Sequence, residues 1–287
     1  MIHTLKNDEI KITVADYGAE LKSLIGADGT EYLFDGNPKW WKYTSPVLFP
    51  FVGKLVNNKY RAEGKEFNLP QHGFARTTNF ECIREEKNSI TFRLNWNEDT
   101  LKVYPYKFSL EISYILKKNT VAIIWVVKNI DDKTIYFSIG VKCPIIDGEN
   151  FEDCYLKFNK KEKSARILLS TNGNLLHKKI PMLDGNILEL NYEIFKDDAL
   201  IFDDLKSDEI TICSKKSSKK ITLQAKNFPF LGICTPSQGG APFICIEPWQ
   251  GHADFEDFSG DITQKDGINK IEIGQSYGTN YNLIVNV

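Results

Sequence analysis

Two short segments far apart in the chain each set an ionisable group among apolar, aromatic and turn-forming residues. They are Pro70-Gln71-His72-Gly73-Phe74-Ala75-Arg76 and Cys245-Ile246-Glu247-Pro248-Trp249-Gln250-Gly251. The chain carries only four histidines, and His72 is one of them. An imidazole and a carboxylate brought into one cleft can exchange protons with a neutral, hydroxyl-rich molecule. Glu247 follows the apolar run Phe243-Ile244-Cys245-Ile246 and precedes Pro248, which puts a carboxylate at the end of a buried strand. Such a group is costly to desolvate without a partner or a task, so an ion pair with Lys or Arg is the structural alternative to catalysis. His72 reads as a strand-edge or turn residue that a structural hydrogen bond could equally explain. Arg76 can orient a ligand hydroxyl or pair with an acid.

Other acids carry weaker signals. Asp197 and Asp198 precede the apolar run Ala199-Leu200-Ile201-Phe202, a usual place for turn formers and caps. Asp254, Glu256, Asp257 and Asp261 form an acidic stretch whose spacing does not match an EF-hand loop, and it reads as a solvated loop. The sequence lacks a Walker A, a GxGxxG and a GxSxG pattern, which argues against nucleotide enzymes and serine hydrolases.

The elements that must position these residues are strands. Ile10, Ile12 and Val14 alternate with Lys11 and Thr13, and Leu110 to Leu116, Ile221 to Ala225 and Tyr281 to Val285 repeat the pattern. Period-2 alternation predicts half-buried strands with one face toward a core. Val121 to Val127 is apolar on both faces and predicts a strand lying centrally between packed layers. No stretch sustains a helical period, no linker or repeat interrupts the chain, and the expectation is an all-β, single-domain antiparallel β-sandwich over 1–287. Asn37 to Lys54 breaks the rhythm with three prolines and five aromatics. That density precludes a central strand and predicts a plug over one end of the sandwich or the wall of a ligand cleft.

Composition narrows the partners. A formal charge of −2 over 287 residues gives no general attraction for polyanions. The Lys-rich stretches at Asn159–Lys163 and Lys215–Lys220 lack interleaved aromatics and read as solvated turns, so no nucleic-acid partner is expected. The N-terminus shows no secretory signal and no apolar run approaches a membrane span, which predicts a cytoplasmic protein with no membrane partner. The six cysteines include no CxxC pair, a pattern that suits reduced, mostly buried thiols and neither a disulfide framework nor a zinc site.

At five stretches the chain resembles the aldose 1-epimerase (galactose mutarotase) family, and most closely its bacterial LacX-like branch. They are Ser45 to Lys54, Leu69 to Arg76, Phe137-Ser138-Ile139-Gly140, Asp197-Asp198-Ala199-Leu200 and Cys245 to Trp249. The resemblance spans nearly the whole chain and implies a large antiparallel β-supersandwich. It also implies an isomerase that interconverts the α and β anomers of an aldose through the open-chain aldehyde, without a cofactor or metal. By resemblance Glu247 is the general base at the C1 hydroxyl, and His72 is one of two histidines near the ring oxygen. The second histidine is expected after the Ser-Ile-Gly stretch, where this chain reads Val141-Lys142-Cys143-Pro144, so Lys142 replaces it. Lys142 then acts as an acid, binds an anion such as a sugar phosphate, or marks lost turnover. Lys54, Arg76 and Asp197 are expected to orient hydroxyls, and Phe228 and Trp249 to stack on the sugar ring. A non-catalytic carbohydrate-binding protein and a hexose-phosphate epimerase are the alternative readings. The expected partner is a small-molecule sugar, with the chain a monomer or homodimer.

Overall fold

Each period-2 run forms a strand with its apolar members inward. Ile10–Ala15, Phe108–Lys117 and Ser276–Asn286 bury alternate residues over most of their length, and Lys220–Gln224 buries Ile221 and Leu223 with Thr222 between them. The computed structural model describes residues 1–145 and 151–286. Its principal sheet has 15 strands. It starts at Val47–Leu48 and passes through Ile139–Val141, Ile244–Gln250, Phe230–Cys234, Leu200–Phe202 and Cys154–Leu169. It then runs through Glu209–Ser214, Lys220–Gln224, Ser276–Asn286, Thr120–Asn129, Phe108–Lys117 and Ser89–Asn95 to Glu81–Glu86. Neighbouring strands pair antiparallel.

One apolar cluster holds Ile244, Ile246 and Ile233 from the first half of this order together with Ile112, Val121, Ile123 and Leu283 from the second. The two halves therefore face each other across a shared core, the arrangement of a large β-sandwich. Among the described residues the only α-helix is Glu98–Val103, and no helix is long and apolar enough to cross a membrane.

Two expectations need correction, and a third stands between two alternatives. Thr120–Asn129 is central by pairing, between Phe108–Lys117 and Ser276–Asn286, but only one of its faces is buried. Ala122, Ile124 and Val126 lie on a half-covered outer face, so the all-apolar run reflects β-propensity as much as burial. Asn159–Lys163 is no turn: it lies inside Cys154–Leu169, with its lysines exposed and Glu162 buried to accept backbone N–H bonds from Lys206 and Ser207. The segment from Asn37 to Lys54 serves as both plug and wall. Phe49 and Phe51 are fully buried in the core, while Trp41 and Tyr43 stand beside the charged groups described next. Only Val47–Leu48 pairs as strand, at the end of the sheet order, as proline density requires.

Candidate functional site

A hairpin register explains why Glu247 sits where it does. Phe230–Cys234 and Ile244–Gln250 pair about the Gly239-Gly240 turn, so Cys234 faces Cys245, Gly232 faces Glu247 and Phe230 faces Trp249. On the other flank Gly140 pairs with Trp249 and Cys143 with Ile246, a register that sets Lys142 directly opposite Glu247. Because side chains alternate along a strand, Cys245, Glu247 and Trp249 share one face, away from Ile244 and Ile246 in the core.

Two glycines make the floor of that face. A Cβ at Gly140 would lie 2.5 Å from the Trp249 ring, and one at Gly232 would lie 2.6 Å from it. The indole can lie across the sheet only because neither neighbour has a side chain. Val52, Ile167, Leu175, Ile201 and Ala253 pack around it.

Glu247 is wholly buried, and its two oxygens differ. Oε1 accepts from the Lys142 ammonium at 3.0 Å and from the Cys234 thiol at 2.9 Å. Oε2 has no partner among the described residues. Trp249 Nε1 and Arg76 Nε are likewise buried without partners, so three candidate site residues offer unmet hydrogen-bonding capacity. Buried polar atoms are nearly always paired, and a cluster of exceptions marks where a polar ligand would supply the partner. Burial pushes the Lys142 ammonium down, but neighbouring Cys234 and Glu247 outweigh it and hold its pKa above the ordinary value. The Cys234 thiol is raised, first by its hydrogen bond with Cys245 and then by burial and the Glu247 charge, so it stays protonated and donates.

His72 is fixed by backbone. Its N–H donates to the Gly53 carbonyl at 2.9 Å, and the Gly53 N–H donates back to His72 Nδ1 at 3.0 Å. Its φ of 68° lies in the left-handed region, which disfavours side chains and costs about 1 kcal/mol or more. The neighbouring glycine is obligatory, since a Cβ at Gly73 would sit 2.3 Å from the Phe49 carbonyl oxygen. Burial drives the His72 pKa well below its ordinary value, reinforced by the charges of Lys142 and Arg76. The ring is therefore neutral, and because Nδ1 accepts, its proton lies on Nε2. Arg76 donates to the Gln71 carbonyl at 2.7 Å and stacks over Tyr43 at 5.1 Å, while Lys142 stands 5.8 Å from the Trp41 ring centroid. Glu20, silent in the sequence, ties this wall down by accepting the Thr44 and Ser45 N–H groups at 2.6 and 2.9 Å.

The structure thus brings Glu247, Lys142, His72, Arg76 and Trp249 together. The other three expected residues make contacts of their own. Lys54 is half-buried beside the Gly173 turn, its carbonyl accepting from Asp254 N and Asn174 Nδ2. Asp197 is exposed and pairs with buried Arg166 at 3.3 Å. Phe228 packs edge-on against Trp125 in the main core, ring centroids 6.1 Å apart. The acidic stretch from Asp254 to Asp261 is not one solvated loop: Asp254 is buried against Lys265 at 2.7 Å, Asp257 meets His177, and Asp261 caps a short helical turn. His252 faces a cavity of about 490 Å³ lined also by His177, Phe255 and Lys265, with none of Glu247, Lys142 or His72 in its wall.

Cys234, Cys245 and Arg166 are the residues that motif reading passes over. The cysteine pair had a signal in the sequence. A hairpin centred on Gly239-Gly240 pairs position 234 with 245 and position 232 with 247.

Comparison with known proteins agrees with this geometry. The aldose 1-epimerase family profile matches residues 1–267. The chromosomal protein LacX of Lactococcus lactis subsp. lactis is 33% identical over 86% of this chain and 87% of its own. A solved galactose mutarotase related enzyme from Lactobacillus acidophilus is 34% identical, with a TM-score of 0.96 over 100% of this chain and 98% of that one. A galactose mutarotase-like protein from Lactobacillus casei is 28% identical, with a TM-score of 0.93 over the full length of both chains. With its fold, its motif segments and these relatives in agreement, the chain belongs to the aldose 1-epimerase family.

Proposed function

We propose that the chain interconverts the anomers of an aldose, with Glu247 as general base and Lys142 and His72 serving the ring oxygen. The observation that carries this reading is the asymmetry of Glu247: one oxygen is clamped by Lys142 and Cys234, the other is buried and unpartnered. A sugar whose apolar face rests on Trp249 offers its C1 hydroxyl to Oε2. Oε2 takes the hydroxyl proton, C1 becomes a carbonyl and the C1–O5 bond breaks, while O5 gains a proton to become a hydroxyl. Rotation about C1–C2 and reversal of the steps give the other anomer.

Lys142 suits the acid role through its coupling to the base. While Glu247 is charged, the ion pair keeps the ammonium protonated. Once Oε2 has taken the C1 proton the carboxyl is neutral, that support disappears, and burial alone acts to lower the Lys142 pKa. The lysine becomes a stronger acid at the moment O5 needs its proton. Neutral His72 contributes an Nε2–H that hydrogen-bonds the developing oxyanion without carrying charge.

The same ion pair favours a second reading, a carbohydrate-binding protein without turnover, because Lys142 already satisfies half of the base. Fresh α-D-glucose and α-D-galactose separate the two. The expected result near pH 7 is a protein-dependent acceleration of the decay in optical rotation. Unchanged decay with sugar binding retained in calorimetry would establish the binder.

A further inference from the structure

The face that holds Glu247 also carries two thiols. Cys234 and Cys245 are direct cross-strand partners, and their sulfurs lie with a Glu247 carboxylate oxygen within 4.8 Å of one another. Neither Cys234 nor Cys245 is held in a disulfide. A tetrahedral ion with metal–sulfur bonds of about 2.3 Å and metal–oxygen bonds of about 2.0–2.2 Å needs ligand atoms roughly 3.3–3.8 Å apart. Side-chain rotation of under about 1 Å closes the observed set onto such a centre.

A cation already sits against this set. The Lys142 ammonium contacts Glu247 Oε1 at 3.0 Å and Cys234 Sγ at 3.7 Å. Lys142 and Cys234 are both partly exposed, which leaves a route in from solvent. Glu247 Oε2 has no hydrogen-bond partner among the described residues.

We propose that Cys234, Cys245 and Glu247 form a binding site for a thiophilic divalent cation of the zinc or cadmium class, in competition with the Lys142 ammonium. Two sulfurs and one carboxylate oxygen select borderline and soft ions over magnesium or calcium. Binding forms two metal–sulfur bonds and one metal–oxygen bond and releases the two thiol protons to solvent, with no change of oxidation state. The fourth position opens toward Lys142 and the cleft. An ion so held takes up the carboxylate that Proposed function assigns to the base, so occupancy blocks anomer exchange. The site itself stands on geometry and is independent of whether the chain turns sugar over.

The test is a cadmium titration of the full chain carrying Cys82→Ser, followed by the near-ultraviolet absorption of cadmium thiolates. Cys82 is removed because it forms the other thiol-containing cluster, with His3 and Glu85. The expected result is saturation at one equivalent with about two protons released per ion. Cys234→Ser and Cys245→Ser each weaken binding at least about 100-fold, since loss of even an outer partner costs about 10–100-fold. Lys142→Met tightens binding about tenfold or more by removing the competitor, and unchanged affinity would overturn the competition. One equivalent of cadmium also shields two thiols of the chain from a thiol reagent, a readout that needs no site variant. Absence of the absorption, or its survival in the double variant Cys234→Ser/Cys245→Ser, would overturn the site.

Discussion

Glu247 is a carboxylate made usable by what holds its other oxygen. Lys142 and the Cys234 thiol both donate to Oε1, and Oε2 meets no donor among the described residues. Removing Lys142 leaves a buried charge uncompensated. Lys142→Met is therefore expected to cost about 3 kcal/mol in urea unfolding, at the low end for a broken buried pair because the lysine is partly solvated. His72 gives a pH signature with a definite sign. In the unfolded chain its imidazole protonates near pH 6.5, whereas in the folded chain it resists protonation well below that. The unfolded state binds more protons in that window, so stability is full above about pH 6.5 and falls as pH drops, by up to ~1.4 kcal/mol per pH unit. His252 is lowered too and adds the same sign. Urea midpoints between pH 7 and 5 should fall in the parent and flatten in His72→Asn, which tolerates the positive φ. A parent midpoint independent of pH would contradict the buried neutral ring.

The face that carries Glu247 is a product of pairing, and its strand depends on two flanks without side chains. Gly232→Ala sets a methyl 2.6 Å from the Trp249 ring, against a ring held by apolar neighbours that have little room to move. The expected cost is about 1–3 kcal/mol of stability, the range for overpacking, together with weaker sugar binding at the displaced platform. Unaltered stability and sugar affinity would show that the indole does not lie where the site requires it. The segment carrying Trp41 and Tyr43 is positioned differently, through the carboxylate of Glu20, a distant residue in sequence. Such long-range latches have no local signature, which is why neither Glu20 nor the Arg166–Asp197 pair was legible in the chain. The hairpin register was legible: Gly239-Gly240 as its centre places Cys234 beside Cys245 and Gly232 beside Glu247.

Across the whole molecule, alternation of residue type was enough to read the all-β class, because period 2 follows directly from strand geometry. It could not reveal that the outer face of Thr120–Asn129 is only half covered, since an apolar residue reports preference for a pleated surface as well as burial. Glu247, His72, Arg76 and Trp249 were named from motif segments and Lys142 from the resemblance; Lys142 meets Glu247 directly, and the charges of Lys142 and Arg76 act on His72. Phe228 packs edge-on against Trp125, and an aromatic after a turn looks the same from the sequence whether it lines a cleft or packs on a core ring. The measurement that tests the central claim most directly is polarimetry of fresh α-D-galactose and α-D-glucose near pH 7, comparing the parent chain with Glu247→Gln. The prediction is that the parent accelerates mutarotation and that Glu247→Gln, still folded, loses about 100-fold or more of that acceleration. Full acceleration by Glu247→Gln would contradict Glu247 as the base, and no acceleration by the parent would contradict turnover of these two sugars.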